Sequence, residues 1–102
     1  HGILPVSPRA FAAPLAPADV VGPVCESSDT FTQGRALPDL PAGELVAILD
    51  AGAYGASMSS TYNARPLAAE VLVQGAEWSV VRARQGYEAL LAGSHIPDWL
   101  RA

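Results

Sequence analysis

The 102-residue chain reads as a mainly β unit, antiparallel and barrel-like or sandwich-like, with one short C-terminal helix. Three observations predict this class. Short apolar runs are separated by turn signals drawn from nine glycines and nine prolines. Residues 67–74 alternate with a period of two, which places successive side chains on opposite faces of a strand. Helical spacing is confined to Tyr87, Leu90 and Leu91, with Gly93 where a C-terminal cap would stand.

Taken in order, residues 1–18 carry Pro5, Pro8, Pro14 and Pro17 among alanines. Proline at this density excludes helix interiors and central strands. A short edge strand at Ile3–Val6 and otherwise weakly ordered, extended chain are expected there, with the β domain proper over 19–102. Asp19–Val24 is a strand running into a polar loop, and Thr30–Leu37 is a second strand broken at Gly34. Pro38–Gly43 is a turn on composition. Leu45–Leu49 is a continuous apolar run, the mark of a strand buried on both faces. Residues 51–63 hold glycines and hydroxyls and fit a loop with room for one helical turn. Leu67–Gln74 then pairs with Trp78–Ala83 as a hairpin across Gly75 and Ala76. Ile96, Trp99 and Leu100 form an apolar tail expected to pack down. No repeat is present.

One domain at most fits this length. Half the residues are apolar, so part of that surface is expected to meet a partner. Net charge is −4, and the arginines form no basic cluster, which argues against nucleic acid. No apolar run approaches the roughly 20 residues of a membrane span. The start at His1 lacks Met and a signal-peptide plan, and reads as a chain cut from something longer. A lone Cys25 suits a reducing cytosol. There is no lysine at all, so any imine chemistry must come from another segment.

Cys25 is the first candidate. Most lone cysteines are small buried hydrophobes, but Glu26, Ser27, Ser28 and Asp29 are not a core environment. A thiol in a polar loop, with a reference pKa of about 8.5, can give or take a proton. Glu26 is ordinarily a solvated carboxylate, and in a pocket it would hold a substrate cation. Asp29 and the serines more often tie a turn than bind ligand. Tyr54 lies between Gly52 and Gly55, which lets a ligand approach closely, although an aromatic packed at a strand end is an equal reading. Arg65 beside Pro66 is an anion ligand or simply an exposed arginine. His95 reads as surface. Cys25 and His95 lack ligand-like spacing, so no metal is expected.

Two stretches read together go further. Gly22–Asp29 (GPVCESSD), with Tyr54 standing 29 residues after Cys25 inside Asp50–Pro66 (DAGAYGASMSSTYNARP), resembles the C-terminal part of the diaminopimelate decarboxylases. The likeness runs on through Ala69–Val73 and Arg82–Leu91 and covers roughly 19–92. That family are fold-type III pyridoxal-phosphate enzymes, with an alanine-racemase-like N-terminal barrel and a C-terminal β domain. They convert meso-diaminopimelate to lysine in bacterial lysine synthesis. The resemblance implies that Cys25 donates the proton to the carbon from which CO2 departs. It also implies that Glu26 helps hold substrate, and that the loop reaches the partner subunit's site in a homodimer. Tyr54 would contact both cofactor and substrate. Glu26, where related ornithine decarboxylases carry Asp, argues for diaminopimelate over another basic amino acid or a carboxylated polyamine. The family's cofactor lysine, phosphate-binding glycine loop and substrate arginine all fall before His1, so this chain alone is expected to be inactive. A family strand contributed from the N-terminus of the whole enzyme would leave an open sheet edge here. A non-catalytic oligomerisation module is the alternative from a different class.

Overall fold

The computed structural model describes residues 1–25 and 27–101. It divides into two units, 1–58 and 59–102, and each holds short antiparallel strand pairs with single-turn helices.

In the first unit, β1 (Ile3–Pro5) pairs antiparallel with β4 (Val46–Ile48). Pro5 is tolerated because it ends its strand and sits at a sheet edge. Pro8 opens a 3-10 turn over Pro8–Ala12, the position where a missing N–H costs nothing. β2 (Leu15–Val21) and β3 (Thr30–Pro38) form the main hairpin. β2 begins at Leu15, before the expected Asp19, and ends at Val21. It alternates exposed and half-buried residues, with Ala16, Ala18 and Val20 turned inward.

Gly34 bends β3 without ending it. Gln33 and Gly34 stand opposite Asp19 alone, between the pairs Ala18–Arg35 and Val20–Thr32. This is a bulge with glycine at φ +62°. The Asp19 carboxylate accepts the Gly34 N–H at 2.8 Å, so the backbone donor that the bulge releases from the ladder is satisfied. Arg35 next to it donates to the His1 carbonyl at 2.6 Å and ties the N-terminus down.

β4 departs from expectation. The run Leu45–Leu49 is a three-residue strand in a two-stranded sheet, and Leu45, Val46 and Leu49 are exposed. An apolar run signals burial on both faces only when layers exist to cover it, and this unit supplies none. After β4, Asp50 takes φ +56° and turns the chain into a helix, α1 (Gly52–Ser57). The helical turn in 51–63 is therefore a second α-helix, in addition to the one expected near the C-terminus.

In the second unit, β5 (Glu70–Gln74) and β6 (Glu77–Arg82) make the expected hairpin. Gly75 occupies the first position of the two-residue turn at φ +60°, where a Cβ would be strained. Glu70 faces Arg82 across the strands with Nε–Oε2 at 2.9 Å. Both side chains are partly exposed, so the pair contributes about 0.5 kcal/mol and chiefly sets register. α2 (Tyr87–Leu91) follows, and Gly93 at φ +83° ends it as a left-handed cap. The tail does not pack down. Trp99 is 82% exposed, and Ile96 and Leu100 are exposed beside it.

The sheets are three separate two-stranded pairs, with no closed barrel among the described residues. Nor do those residues form a substantial core: Ile3 and Pro5 alone are buried. The accessible surface is 8377 Å². A compact monomer of 10.6 kDa exposes about 5,500 Å², and even two separate compact bodies sharing that mass expose about 6,600 Å². Two-stranded hairpins without a covering layer are marginal in water. Purified alone, the chain is expected to bind an apolar dye such as ANS and to melt without cooperativity. A sharp calorimetric transition near the ~70 kcal/mol typical of 100 residues would contradict this.

Candidate functional site

The Cys25 loop is the connection of the β2–β3 hairpin, so its ends are held by strand pairing. Val21 pairs with Thr30, and Gly22 N–H donates to the Asp29 carbonyl at 2.9 Å. Two residues past Gly22, the Val24 N–H donates to the half-buried Asp29 carboxylate at 2.9 Å. Asp29 thus ties the loop with backbone and side chain together, which is the turn-binding role its residue type favours. Thr30 Oγ1 adds a long contact of 3.5 Å to the Ser27 carbonyl.

Gly22 has a specific reason to be glycine. A Cβ there would collide with both Asp29 carboxylate oxygens. Any side chain at position 22 therefore evicts the group that ties the loop.

Cys25 stands exposed at the head of this tied loop, one residue past the Val24 N–H that Asp29 binds. Chemically this is an accessible thiol on a constrained turn, able to deliver or accept a proton at Sγ toward whatever faces it. Glu26, the second expected site residue, lies outside the described residues.

Tyr54 sits in α1, not in an irregular loop, and is 78% exposed. The helix reaches it because Asp50 reverses the chain. The turn is closed by Gly55 N–H to the Ala51 carbonyl at 2.6 Å and by Met58 N–H to the Tyr54 carbonyl at 2.9 Å. Gly52 and Gly55 leave open space on either side of it. Cys25 and Tyr54 belong to the same unit. The packed-aromatic reading of Tyr54 does not hold, because its ring is presented to the outside. As to a pyridoxal cofactor, the chain has no amine side chain that could hold one covalently. What it offers toward such a group is an exposed phenol and an exposed thiol.

Arg65 proves to line a cavity of about 390 Å³ together with Pro66, Leu67, Arg84, Gln85, Gly86 and Tyr87. Sequence reasoning did not single out Arg84. The usable signal was its position beyond the hairpin, where residues 84–87 return alongside 65–67. His95 is exposed. No helix among the described residues is long and apolar enough to cross a membrane.

Comparison with known proteins adds a family. Residues 1–52 match the family model described as pyridoxal-dependent decarboxylase, C-terminal sheet domain. The diaminopimelate decarboxylase of Archaeoglobus fulgidus is 51% identical over 81 residues, 79% of this chain and 19% of that protein. The diaminopimelate decarboxylase of Escherichia coli K12 is 49% identical over 87 residues, 78% and 21% of the two chains. Among solved structures, diaminopimelate decarboxylase from M. jannaschii in co-complex with L-lysine superposes with a TM-score of 0.85 at 34% identity, covering 99% of this chain and 23% of that one. The chain spans about a fifth of the length of the curated relatives it matches.

The loop geometry makes a prediction. Asp29→Ala in the intact protein is expected to cost about 1–2 kcal/mol of local stability and to raise the rate of proteolytic cleavage within 22–29 about tenfold. Gly22→Ala should reproduce the effect by displacing the carboxylate. Cleavage rates equal to wild type in both variants would refute the tie.

Proposed function

The chain belongs to the pyridoxal-dependent decarboxylases, matching their C-terminal sheet domain, and from that membership we propose that it is the β domain of an enzyme that decarboxylates meso-2,6-diaminopimelate to L-lysine and CO2. The observation that carries the substrate assignment is the run of relatives named diaminopimelate decarboxylase at 42–52% identity. The presence of Glu26 after Cys25 points the same way.

In this reading pyridoxal phosphate is bound by a separate barrel domain and serves as the electron sink. The residues of this chain supply placement and proton delivery. Cys25 hands its thiol proton to the substrate carbon that has lost CO2. Exposure of the thiol at the head of a tied hairpin loop supports that role, because such a loop can enter a site formed elsewhere without rearranging. Glu26 holds the distal ammonium of the substrate by a charge-assisted hydrogen bond. Tyr54, presented outward from α1, contacts cofactor and substrate with its phenol. The composite site is that of a cytoplasmic homodimer, in which the Cys25 loop of one protomer serves its partner. The exposed edges of the three two-stranded sheets are completed into a barrel-like or sandwich-like sheet by strands from outside these residues.

The full-length protein is expected to release CO2 from meso-diaminopimelate in preference to ornithine, arginine and carboxylated polyamines. Preference for one of those others would change the substrate but keep the enzyme class. Cys25→Ala is expected to lower kcat by about 10²–10⁴-fold while the pyridoxal absorbance is retained. Unchanged turnover would identify the loop as structural and favour a non-catalytic module. The 102-residue chain alone should form no lysine.

A further inference from the structure

Four of the six arginines have partners among the described residues. Arg9 lies 4.0 Å from Glu44, Arg82 lies 2.9 Å from Glu70, and Arg101 lies 3.8 Å from Asp98. Arg35 donates to the His1 carbonyl. The two left over are Arg65 and Arg84, and both line the same cavity. One unpaired arginine on a surface is ordinary. Two on one hollow, in a chain of net charge −4, place like charges together where an acidic partner would be easy to supply.

The walls of the cavity are built. Leu67 N–H donates to Gln85 Oε1 at 2.8 Å, and Gln85 N–H returns to the Leu67 carbonyl at 3.1 Å. This reciprocal pair extends the hairpin past its last strand residues and holds 65–67 against 84–87. It also consumes the carboxamide oxygen of Gln85, so the side-chain groups left to meet a ligand are mostly donors. Arg65 is delivered by an unusual backbone. Asn63 and Ala64 both take left-handed φ, +59° and +57°, a conformation that disfavours alanine, and Pro66 then fixes the next residue. Among the described residues, no acidic one lines the cavity. The nearest approach by one that the geometry reveals is Glu88, whose carboxylate folds back toward Gly86. Pro66, Leu67 and the Tyr87 ring supply an apolar surface beside the charges.

We propose that this cavity binds a small molecule carrying an oxyanion, a carboxylate or a phosphate, with Arg65 and Arg84 as its ligands. A guanidinium presents a planar fork that matches either group, and the volume suits a small molecule. The lining residues all belong to the second unit, whereas Cys25 and Tyr54 belong to the first, and the proposal does not rest on the proposed reaction.

The test is calorimetric titration of the intact protein with succinate and, separately, with inorganic phosphate. Saturable binding with a Kd below ~10 mM is expected for at least one, and the tighter of the two identifies the anion class. Arg65→Gln and Arg84→Gln should each weaken it about 10–100-fold, with an unchanged circular-dichroism spectrum as the check on folding. If either glutamine variant fails to fold, Arg65→Lys and Arg84→Lys keep the charge but lose the fork, and several-fold weakening is expected. Absence of saturable binding for both anions, or binding that is the same in all arginine variants, would overturn the proposal.

Discussion

A shortage of self-covered apolar surface governs this structure. Half of the residues are apolar, yet Ile3 is the one hydrophobic side chain counted as buried among those described. The hairpin β5–β6 shows why. Val71, Leu72, Val73, Trp78, Val80 and Val81 are exposed, and in strands successive residues point to opposite faces. Both faces of the ribbon are therefore apolar and both are open. Burying such side chains is worth about 1.5–3 kcal/mol each, so a great deal of stabilisation waits on surfaces that these residues do not contain. That fits a chain spanning about a fifth of its relatives' length.

Against that background, the local order that does exist is carried by hydrogen bonds at points where strands are interrupted. Asp19 takes the donor released by the Gly34 bulge, and Asp29 takes a donor inside the Cys25 loop. Gln85 extends a hairpin beyond its ladder. Each is a polar side chain accepting a backbone N–H that the strand ladder leaves unpaired. The effect is to hold these loops in shape before any apolar layer covers them.

How much of this was legible differs by kind of feature. The hairpin across Gly75 and Ala76 and the cap at Gly93 were readable, because their causes are local: period-two alternation and the tolerance of glycine for positive φ. The presentation of Cys25 by a strand-flanked turn was readable for the same reason. The failures share a cause too. Leu45–Leu49 was expected to be buried on both faces, and Trp99 with its neighbours was expected to pack. An apolar run carries no record of where its covering partner lies, and that partner need not be in the same stretch of chain. The helix at Tyr54 was underestimated because Asp50, not a glycine, makes the left-handed turn that starts it.

The sequence by itself determined the family. The Gly22–Asp29 and Asp50–Pro66 motifs, their spacing and the missing lysine are properties of the linear chain, and they point to part of a pyridoxal-dependent decarboxylase. Only the tertiary structure decided which carboxylate ties the Cys25 loop, why position 22 admits no side chain, and that Arg65 and Arg84 face one cavity. Those facts depend on residues brought together across hairpins, such as Gly22 with Asp29 and Leu67 with Gln85. Register and bulges set these pairings, and a one-residue slip would undo them.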